Sequence, residues 1–277
     1  MLKVDNALIM GVLNVTPDSF SDGGFYLESD RAIARGLEMV EQGADIIDIG
    51  AESTSYYTDP QKKPVEILEQ IKRAVPVIKG LEKAGVRGIS IDTSSAVVAQ
   101  AALDHGATWI NDQRAAMADK MMPVTMKNAE RVVLMHGFGL GFGVNAGERV
   151  NYSHPINELK DFFQQRVREL LQLGLEKEKI IIDPGFGFGK GLEDSLTILA
   201  QLSSLKVLGF PVLIGLSRKS FIGKLCGIED PMKRDNASLG GNVMALLSGV
   251  GVIRTHNVKM LAEAKCLIDA TWLRRSR

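Results

Sequence analysis

The sequence predicts an α/β fold, a parallel eight-stranded (β/α)8 TIM barrel, and three observations carry that prediction. Short apolar runs alternate with helical patterns along all 277 residues, giving eight strand–helix units. The runs are uninterrupted and rich in Ile and Val, as strands buried on both faces are. Connections between the units are mostly short, which favours a parallel sheet that eight units can close. An open doubly wound sheet is the alternative, but residues 14–24 lack its glycine fingerprint.

The elements follow in order, with strands assigned from β-branched runs and helices from their period. Gly43, Gly106 and Gly174 stand where the first, third and fifth helices should stop. The predicted strands are Ala7–Asn14, Asp45–Gly50, Gly88–Asp92, Thr108–Asn111, Arg131–Met135, Lys179–Asp183, Pro211–Gly215 and Gly251–Thr255. The predicted helices are Asp30–Gln42, Val65–Ala84, Ser95–His105, Ala115–Asn128, Pro155–Leu173, Leu192–Leu208, Lys233–Ser248 and Val258–Leu273.

Composition narrows the class of protein. The formal net charge is 0 and the pI is about 6.9, so the overall charge does not favour binding to nucleic acid or to a membrane surface. Its two cysteines, Cys226 and Cys266, are too few for a disulfide framework or a metal quartet, which favours a reducing compartment. No apolar stretch approaches the ~20 residues that span a bilayer. We predict one cytoplasmic domain over residues 1–277.

Three connections are long, and all of them follow strands. Residues 15–29 and 52–64 follow the first and second strands, and glycine-rich residues 137–154 follow the fifth. Loops at this face of a barrel commonly act as lids, which we predict for the first two. The third is interpreted equally well as a disordered insertion.

The stretch from Ile180 to Lys190 is the most informative local motif. Three isoleucines predict a buried strand, and Asp183 follows them directly before Pro-Gly. A carboxylate there needs a partner, and the glycines after it allow close approach of backbone or ligand. The alternative is a strand-ending turn whose Asp caps the next helix. The segment fails both the Walker and the dinucleotide glycine patterns, because Lys190 and Gly191 stand at their diagnostic positions.

Polar residues stand at the ends of all eight predicted strands. At any one strand end, a role as a helix cap is enough to explain a polar residue. The same explanation would have to apply at all eight strand ends together, which is much less favoured. The strand-end residues are Asn14, Asp48 with Glu52–Thr54, Asp92, Asn111 with Asp112, His136, Asp183, Ser217–Ser220 and Arg254–His256. Since a barrel gathers these ends into one bowl, they predict a functional site.

The strand-end chemistry divides into two halves. Asp92, Asn111 and Asp183 supply mainly acceptors, which suit a flat heterocycle with a donor-rich edge such as an amino-pyrimidine, with Lys219 beside them. Asn14, Arg254 and His256 suit an anion, and His256 could carry charge near neutral pH. Asn14 is also a candidate ligand for Mg²⁺, which takes few protein oxygens.

At these residues the chain resembles the dihydropteroate synthase family, almost end to end. The matching segments are Asn14–Gly24, Asp45–Gly50, Glu52–Thr54, Ser90–Thr93, Ile110–Asp112, Met135–His136, Asp183–Lys190, Ser217–Gly223 and Arg254–His256. The resemblance implies a TIM barrel, commonly dimeric. It also implies a reaction in which p-aminobenzoate displaces diphosphate from 6-hydroxymethyl-7,8-dihydropterin diphosphate.

The resemblance also implies roles for residues. Asp92, Asn111, Asp183 and Lys219 match pterin-binding positions, and Met135, Phe186 and Gly215 match positions packed near the ring. Asn14, Arg254 and His256 match the site of diphosphate and Mg²⁺. Residues 16–20 and Thr54 match the mobile loops, and Lys219, Arg218 and Ser220 border the p-aminobenzoate pocket. Among these, Asp92, Asp183, Lys219, Arg254 and His256 are the predicted catalytic residues.

The chain departs from the family pattern at three places. Ser55 and Tyr56 replace the usual Arg-Pro, residues 137–147 lack the usual Pro-x-Thr-Met-Gln, and Asn257 replaces the usual Asp. These changes predict secure pterin binding and favour reduced sulfonamide sensitivity. They leave open a paralogue with altered or lost synthase activity. A pterin-dependent methyltransferase on the same barrel should lack residues 16–20 and 217–220.

Overall fold

The computed structural model describes residues 7–16, 25–52, 64–137 and 152–275. Within them eight strands alternate with helices. The strands are β1 (Leu8–Asn14), β2 (Ile46–Gly50), β3 (Ile89–Asp92), β4 (Trp109–Asp112), β5 (Arg131–Met135), β6 (Ile180–Asp183), β7 (Leu213–Ile214) and β8 (Val252–Thr255). The helices are α1 (Phe25–Glu41), α2 (Ile67–Lys83), α3 (Ala96–Leu103), α4 (Met122–Thr125), α5 (Pro155–Gln172), α6 (Leu192–Ala200), α7 (Ser220–Cys226), α8 (Asp235–Leu247) and α9 (Val258–Arg275).

The predicted barrel is confirmed by the pairing of these strands. All neighbours are parallel, and the sheet runs β6-β5-β4-β3-β2-β1-β8-β7. A parallel bridge between Ile182 and Val212 joins its two edges, and the Ile182 amide donates to Pro211 O at 3.0 Å. β6 and β7 thus close the barrel through one short contact.

Two apolar clusters show how the sequence fills this barrel. The larger cluster lies between the strands and the surrounding helices and contains residues such as Ile47, Ile89 and Leu81. The smaller cluster consists of Met10, Ile46, Trp109, Val133, Ile181, Leu213 and Val252, one from nearly every strand. Strand residues alternate between the two faces, so this smaller cluster is the plug inside the barrel.

The plug sets the place of the polar residues. A residue two positions after a plug residue lies on the same face, one layer nearer the C-terminal ends of the strands. Those positions are Val12, Asp48, Asn111, Met135, Asp183, Gly215 and Arg254. A layer rich in polar side chains therefore lies directly above an apolar floor.

Three predicted helices were wrong in part. Residues 115–121 are not helical, because the Asp112 carboxylate accepts from the Arg114 and Ala116 amides and closes a turn there. The sixth helix ends at Ala200 and continues as a 3₁₀ helix, Leu202–Leu208. The helix α7 was not predicted; it ends at Cys226, and Gly227 follows it with φ 66°. The first helix begins at Phe25, earlier than predicted.

The described residues also bear on the wider predictions. None of their helices combines the length and apolar character needed to span a membrane. Cys226 and Cys266 are both free and exposed. Most of the two predicted lid loops, and residues 138–151 of the third loop, lie outside the described residues.

Candidate functional site

A cavity of about 390 Å³ opens at the C-terminal ends of the strands. Seven of the predicted site residues line it, and they come from the ends of four strands that are far apart in sequence. These are Asn14, Asp92, Gly215, Arg218, Lys219, Arg254 and His256. Phe188, Gln113, Glu52 and Ser217 also line it. Glu52 and Ser217 were predicted only as polar strand-end residues, and neither Phe188 nor Gln113 was given a binding role.

Four other predicted residues lie buried in the barrel. Asn111, Met135, Asp183 and Phe186 are each 5% exposed or less. Asp183 Oδ1 accepts from the Gly185 amide at 2.7 Å. Burial raises the pKa of Asp183 to about 6, against the lowering effect of that hydrogen bond and of Lys219. The carboxylate at the end of β6 thus occupies the desolvated position that its sequence predicted.

Arg254 joins two strand-end carboxylates. Its Nε lies 2.6 Å from Asp48 Oδ2, and its Nη2 lies 2.9 Å from Asp92 Oδ2. The Asn111 amide donates to the same Asp48 oxygen at 3.0 Å. Arg254 was predicted to bind an anion, and in the described structure its guanidinium is already paired with two carboxylates, those of Asp48 and Asp92.

Asp48 was predicted as a polar strand-end residue but was given no binding role, and the structure makes it a functional candidate. It is fully buried, and its Oδ1 has no hydrogen-bond partner among the described residues. The signal was a carboxylate inside the apolar run Ile46–Gly50. A buried acid in a strand interior is costly unless something pairs with it, and Arg254 and Asn111 supply the pairing.

Asp92 is the most strongly perturbed of these acids. Burial raises the pKa of Asp92 to about 7, and Asp48 adds to the rise while Arg254 opposes it. Its Oδ1 accepts from Gln113 Nε2 at 2.8 Å. Acids with such environments cluster at functional sites.

Lys219 stands above an aromatic ring. Its Nζ lies 3.8 Å from the centroid of the Phe188 ring, close enough for a cation–π contact. Burial lowers the pKa of Lys219 to about 8, with Arg254 adding to the fall and Asp183 opposing it. Lys219 and Phe188 form one wall of the cavity, where the sequence placed only the lysine.

His256 is neutral, which corrects the expectation that it could carry charge near pH 7. Burial first, and then the nearby Arg254, Arg218 and Lys219, lower the pKa of His256 to about 3. Its Nδ1 lies 2.9 Å from Ser217 Oγ. In the ligand-free protein this imidazole therefore offers an anion a neutral N–H donor.

Arg218 is held away from free solution by α8. Its Nε and Nη2 bond the two Asp235 oxygens at 2.8 and 3.0 Å. Asn257 Nδ2 donates to Asp235 Oδ2 at 3.2 Å, so the departure at position 257 contacts the partner of Arg218. Ser220 is exposed at the first position of α7. Thr54, residues 17–20, Ser55 and Tyr56 lie outside the described residues.

Lys190 ties the loop after β6 to the end of β5. Its Nζ lies 3.0 Å from His136 Nδ1, 2.9 Å from His136 O and 3.3 Å from Phe188 O. Three acceptors match the three donors of an ammonium group. Burial lowers the pKa of Lys190 to about 7. Lys190 therefore fixes the backbone that carries Phe188.

Comparison with known proteins places these residues in context. The family described as pterin binding enzymes matches residues 10–256. A dihydropteroate synthase of Synechocystis sp. is 38% identical over 265 residues, covering 95% of this chain and 90% of that protein. A structure of Xanthomonas albilineans dihydropteroate synthase with 4-aminobenzoic acid has a TM-score of 0.88 at 37% identity, covering 97% and 94% of the two chains.

A second structure similar to this chain is the Xanthomonas albilineans dihydropteroate synthase in complex with 7,8-dihydropteroate. Its TM-score is 0.85 at 34% identity. It covers 98% of this chain and 95% of its own. The similarity in sequence and in fold therefore extends along nearly the whole chain.

Proposed function

The chain belongs to the pterin-binding enzyme family, among the dihydropteroate synthases, and we propose that its cavity joins p-aminobenzoate to 6-hydroxymethyl-7,8-dihydropterin diphosphate. The products are dihydropteroate and diphosphate. The observation that carries this proposal is the layer of Asp92, Asn111 and Asp183 above an apolar plug, with Lys219 over Phe188 at its edge. The alternative of a paralogue without synthase activity has no observation in its favour.

The carboxylates bind the heterocycle. A pterin presents ring N–H and amino donors along one edge, and ionised Asp183 and Asp92 are acceptors only. Asn111 gives its amide to Asp48, which leaves its carbonyl oxygen as the acceptor toward the ring. The apolar floor accepts the flat face, and Lys219 donates to a ring carbonyl or nitrogen.

The reaction is a displacement at the methylene carbon of the pterin. The bond from that carbon to the diphosphate oxygen breaks, and the amine nitrogen of p-aminobenzoate forms the new bond and then loses a proton. Asp183 and Asp92 stabilise positive charge that spreads over the pterin as the leaving group departs. An oriented aniline is already nucleophilic, so the site needs no strong base.

The half of the site that was predicted to bind an anion is called the cation half. It holds the leaving group through Asn14 at the end of β1 and through Arg254 and His256 at the end of β8. Arg254 supplies a planar fork for oxyanions, and neutral His256 supplies an N–H. Within the described residues no group of three or more His, Cys, Asp or Glu could hold a metal. Asn14 lies at the end of β1, is exposed and lines the cavity, so its side-chain oxygen would be available to hold Mg²⁺, which takes few protein ligands. When bound there, Mg²⁺ would neutralise charge on the departing diphosphate.

Two broader features belong to the same proposal. We propose a cytoplasmic location, which two free, exposed cysteines support because exposed thiols suit a reducing compartment. We also propose a homodimer, by family resemblance. Sedimentation of the purified protein at two concentrations tests the dimer directly.

A coupled assay tests the activity. Purified protein, dihydropterin diphosphate, p-aminobenzoate and Mg²⁺ should release diphosphate and form dihydropteroate in equal amounts. Lys219→Ala should abolish both, whereas Asp104→Asn, which changes an exposed carboxylate on the far side of α3, should change neither. Pterin binding without product would support the paralogue and overturn the synthase.

A further inference from the structure

Gln113 lies on the wall that two cavities share. It lines the cavity of about 390 Å³ and also a neighbouring cavity of about 240 Å³ beside α3. Its Nε2 donates to Asp92 Oδ1 at 2.8 Å. Glu52 and Asp92 line both cavities as well, so Gln113 is part of the shared wall and holds one oxygen of the carboxylate proposed to bind the pterin.

The two oxygens of Asp92 have different protein partners. Arg254 Nη2 donates to Oδ2 at 2.9 Å, and Gln113 donates to Oδ1. An ionised carboxylate offers about four lone-pair sites, so each oxygen keeps room for one ligand donor. Bonds to both oxygens fix the plane of the carboxylate, which decides where a ligand N–H must lie.

The turn that carries Gln113 has an uncommon backbone. Ala115 and Ala116 have φ values of 48° and 58°, in the left-handed region that few non-glycine residues adopt. The Asp112 carboxylate accepts from the Arg114 amide at 2.8 Å and the Ala116 amide at 2.6 Å. These bonds fold the chain back immediately after Gln113.

Arg166 closes the other side of this turn from α5. Its Nε donates to Ala115 O at 2.6 Å, and its Nη2 donates to Ala116 O at 2.8 Å. Its Nη1 bonds Glu169 at 2.7 Å, which anchors the guanidinium to the helix. A planar fork that binds two successive carbonyls holds both left-handed residues at once.

On the basis of the proposed pterin site, we propose that Gln113 is a positioning residue for Asp92, and that Arg166 acts through the left-handed turn to keep it in place. The chain of contacts runs from α5 to the backbone of residues 115 and 116, then to Gln113 and the strand-end carboxylate. It gives α5, which lines no part of the main cavity, a role in pterin recognition.

The first test is Gln113→Met, which keeps the length of the side chain and removes its donor. A lost hydrogen bond to a charged group predicts about a tenfold rise in KM for the pterin substrate. The KM for p-aminobenzoate should change less than about twofold, because Arg218, Lys219 and Ser220, rather than Asp92, border the pocket proposed for that substrate. Unchanged pterin KM in this variant would overturn the proposal.

A pH profile separates positioning from a general loss of structure. Gln113 favours the ionised form of Asp92, so its removal should move the acidic limb of pterin binding to higher pH. The charged groups around that carboxylate are Arg254, Asp48, Asp112 and Lys219, with Glu52 on the wall of the same cavity. All of them stay in the variant, so a limb that does not move argues against the proposal.

The second test asks whether Arg166 acts through Gln113. Arg166→Met should raise pterin KM by about the same factor, and the double variant should be no worse than either single variant. Ala115→Gly with Ala116→Gly should restore the Arg166→Met enzyme, because glycine adopts positive φ without strain. Independent, multiplying effects or a failed rescue would remove Arg166 from the proposal.

Matched controls keep the outcomes distinct. Lys179→Met removes another bond from a cationic side chain to a backbone carbonyl, 2.8 Å to Lys127 O, at the opposite end of the barrel, and should leave KM unchanged. If the wild-type protein makes no dihydropteroate, the proposed function fails. If it does and Gln113→Met binds pterin normally, only the positioning role fails.

Discussion

The two halves of the cavity are prepared for their ligands in opposite ways. In the carboxylate half, Asp183 and Asp92 are buried and their pKa values are raised to about 6 and 7. In the cation half, Arg254 and Arg218 are already paired with carboxylates, and His256 is neutral. The first half can gain stability from a ligand that brings donors. The second must exchange existing partners for the ligand's negative charge.

The difference follows from where the residues sit. Asp183 stands above the apolar plug, with backbone Gly185 as its closest donor. Arg254 occupies the corresponding position on β8, where Asp48 of β2 and Asp92 of β3 lie within reach. Since β1 alone separates β8 from β2, the arginine bridges strands on either side of it.

Among changes that distinguish the two halves, the largest expected effect is that of Asp183→Asn. Losing the charged acceptor should lower kcat/KM for the pterin about a hundredfold, because hydrogen bonds to charged groups are the strong ones. The same change should raise the free energy of unfolding at pH 8 by about 1–3 kcal/mol, since the buried charge is removed. Steady-state kinetics and urea unfolding at pH 8 measure both. A variant that is both inactive and destabilised would contradict this account of the carboxylate half.

Arg254→Met probes the cation half and should have the next largest effect. It leaves Asp48 buried without its ion pair, which predicts a loss of about 3 kcal/mol of stability and about thirtyfold in kcat/KM. Adding Asp48→Asn should restore most of the stability but not the activity. If the second change also restored activity, Arg254 would act only as a partner of Asp48.

The pH dependence of the reaction should show both halves. Asp183 and Asp92, whose pKa values are raised to about 6 and 7, must both be ionised to accept from the pterin, so kcat/KM should rise by about sixtyfold between pH 5.5 and 7. It should fall above pH 8 as Lys219, whose pKa is lowered to about 8, loses its charge. A rate that is level from pH 5.5 to 8 would show that these groups do not titrate in catalysis.

The stability of the fold should change with pH in the opposite direction to the activity over the same range. The folded protein binds more protons than the unfolded chain between about pH 4 and 7, because the pKa values of Asp183 and Asp92 are raised from 3.8. The free energy of unfolding from these groups therefore falls as pH rises through that window. Thermal melts of wild type and Asp183→Asn should converge at low pH, where the wild-type carboxyl is protonated.

The barrel and most of the strand ends could be predicted because each depends on local pattern. The runs at Ile180 and Arg131 have the right residues for buried strands, and the polar residues that follow them, Asp183 and His136, are visible in the sequence. The helix at 115–128 was wrong because the side chain of Asp112 closes a turn that the helical pattern does not reveal. The α7 helix was missed because its seven residues make only about two turns, too few for a helical period to show in the sequence.

The pairing inside the site was beyond sequence reasoning. Asp48 and Arg254 are 206 positions apart, and only closure of the barrel brings Asp48, Asp92 and Arg254 together. The lowered pKa of His256 also depends on its burial and on Arg218 and Lys219, which follow β7, as well as on Arg254 two residues before it. Gln113 gave no signal in the sequence, because its importance comes from the oxygen of Asp92 that it contacts.

The smallest expected effect is that of Asn257→Asp, which restores the residue usual in the family. Asn257 Oδ1 accepts from the Met260 amide at 3.2 Å, and an aspartate can keep that contact at the start of α9. Its Nδ2 bond to Asp235 would become a contact between like charges, with Arg218 alongside to neutralise them. We expect a loss of less than about 1 kcal/mol of stability and a change in kcat/KM below about threefold.

The control for that change is Asn128→Asp, an exposed asparagine whose Nδ2 donates to Gln100 at 3.2 Å. Repulsion from Asp235 should weaken in high salt, so the stability difference at position 257 should shrink in 1 M NaCl. A large change in p-aminobenzoate KM instead would mean that Asn257 sets how Arg218 is held. This departure from the family would then affect p-aminobenzoate binding through Asp235, the carboxylate that pairs with Arg218.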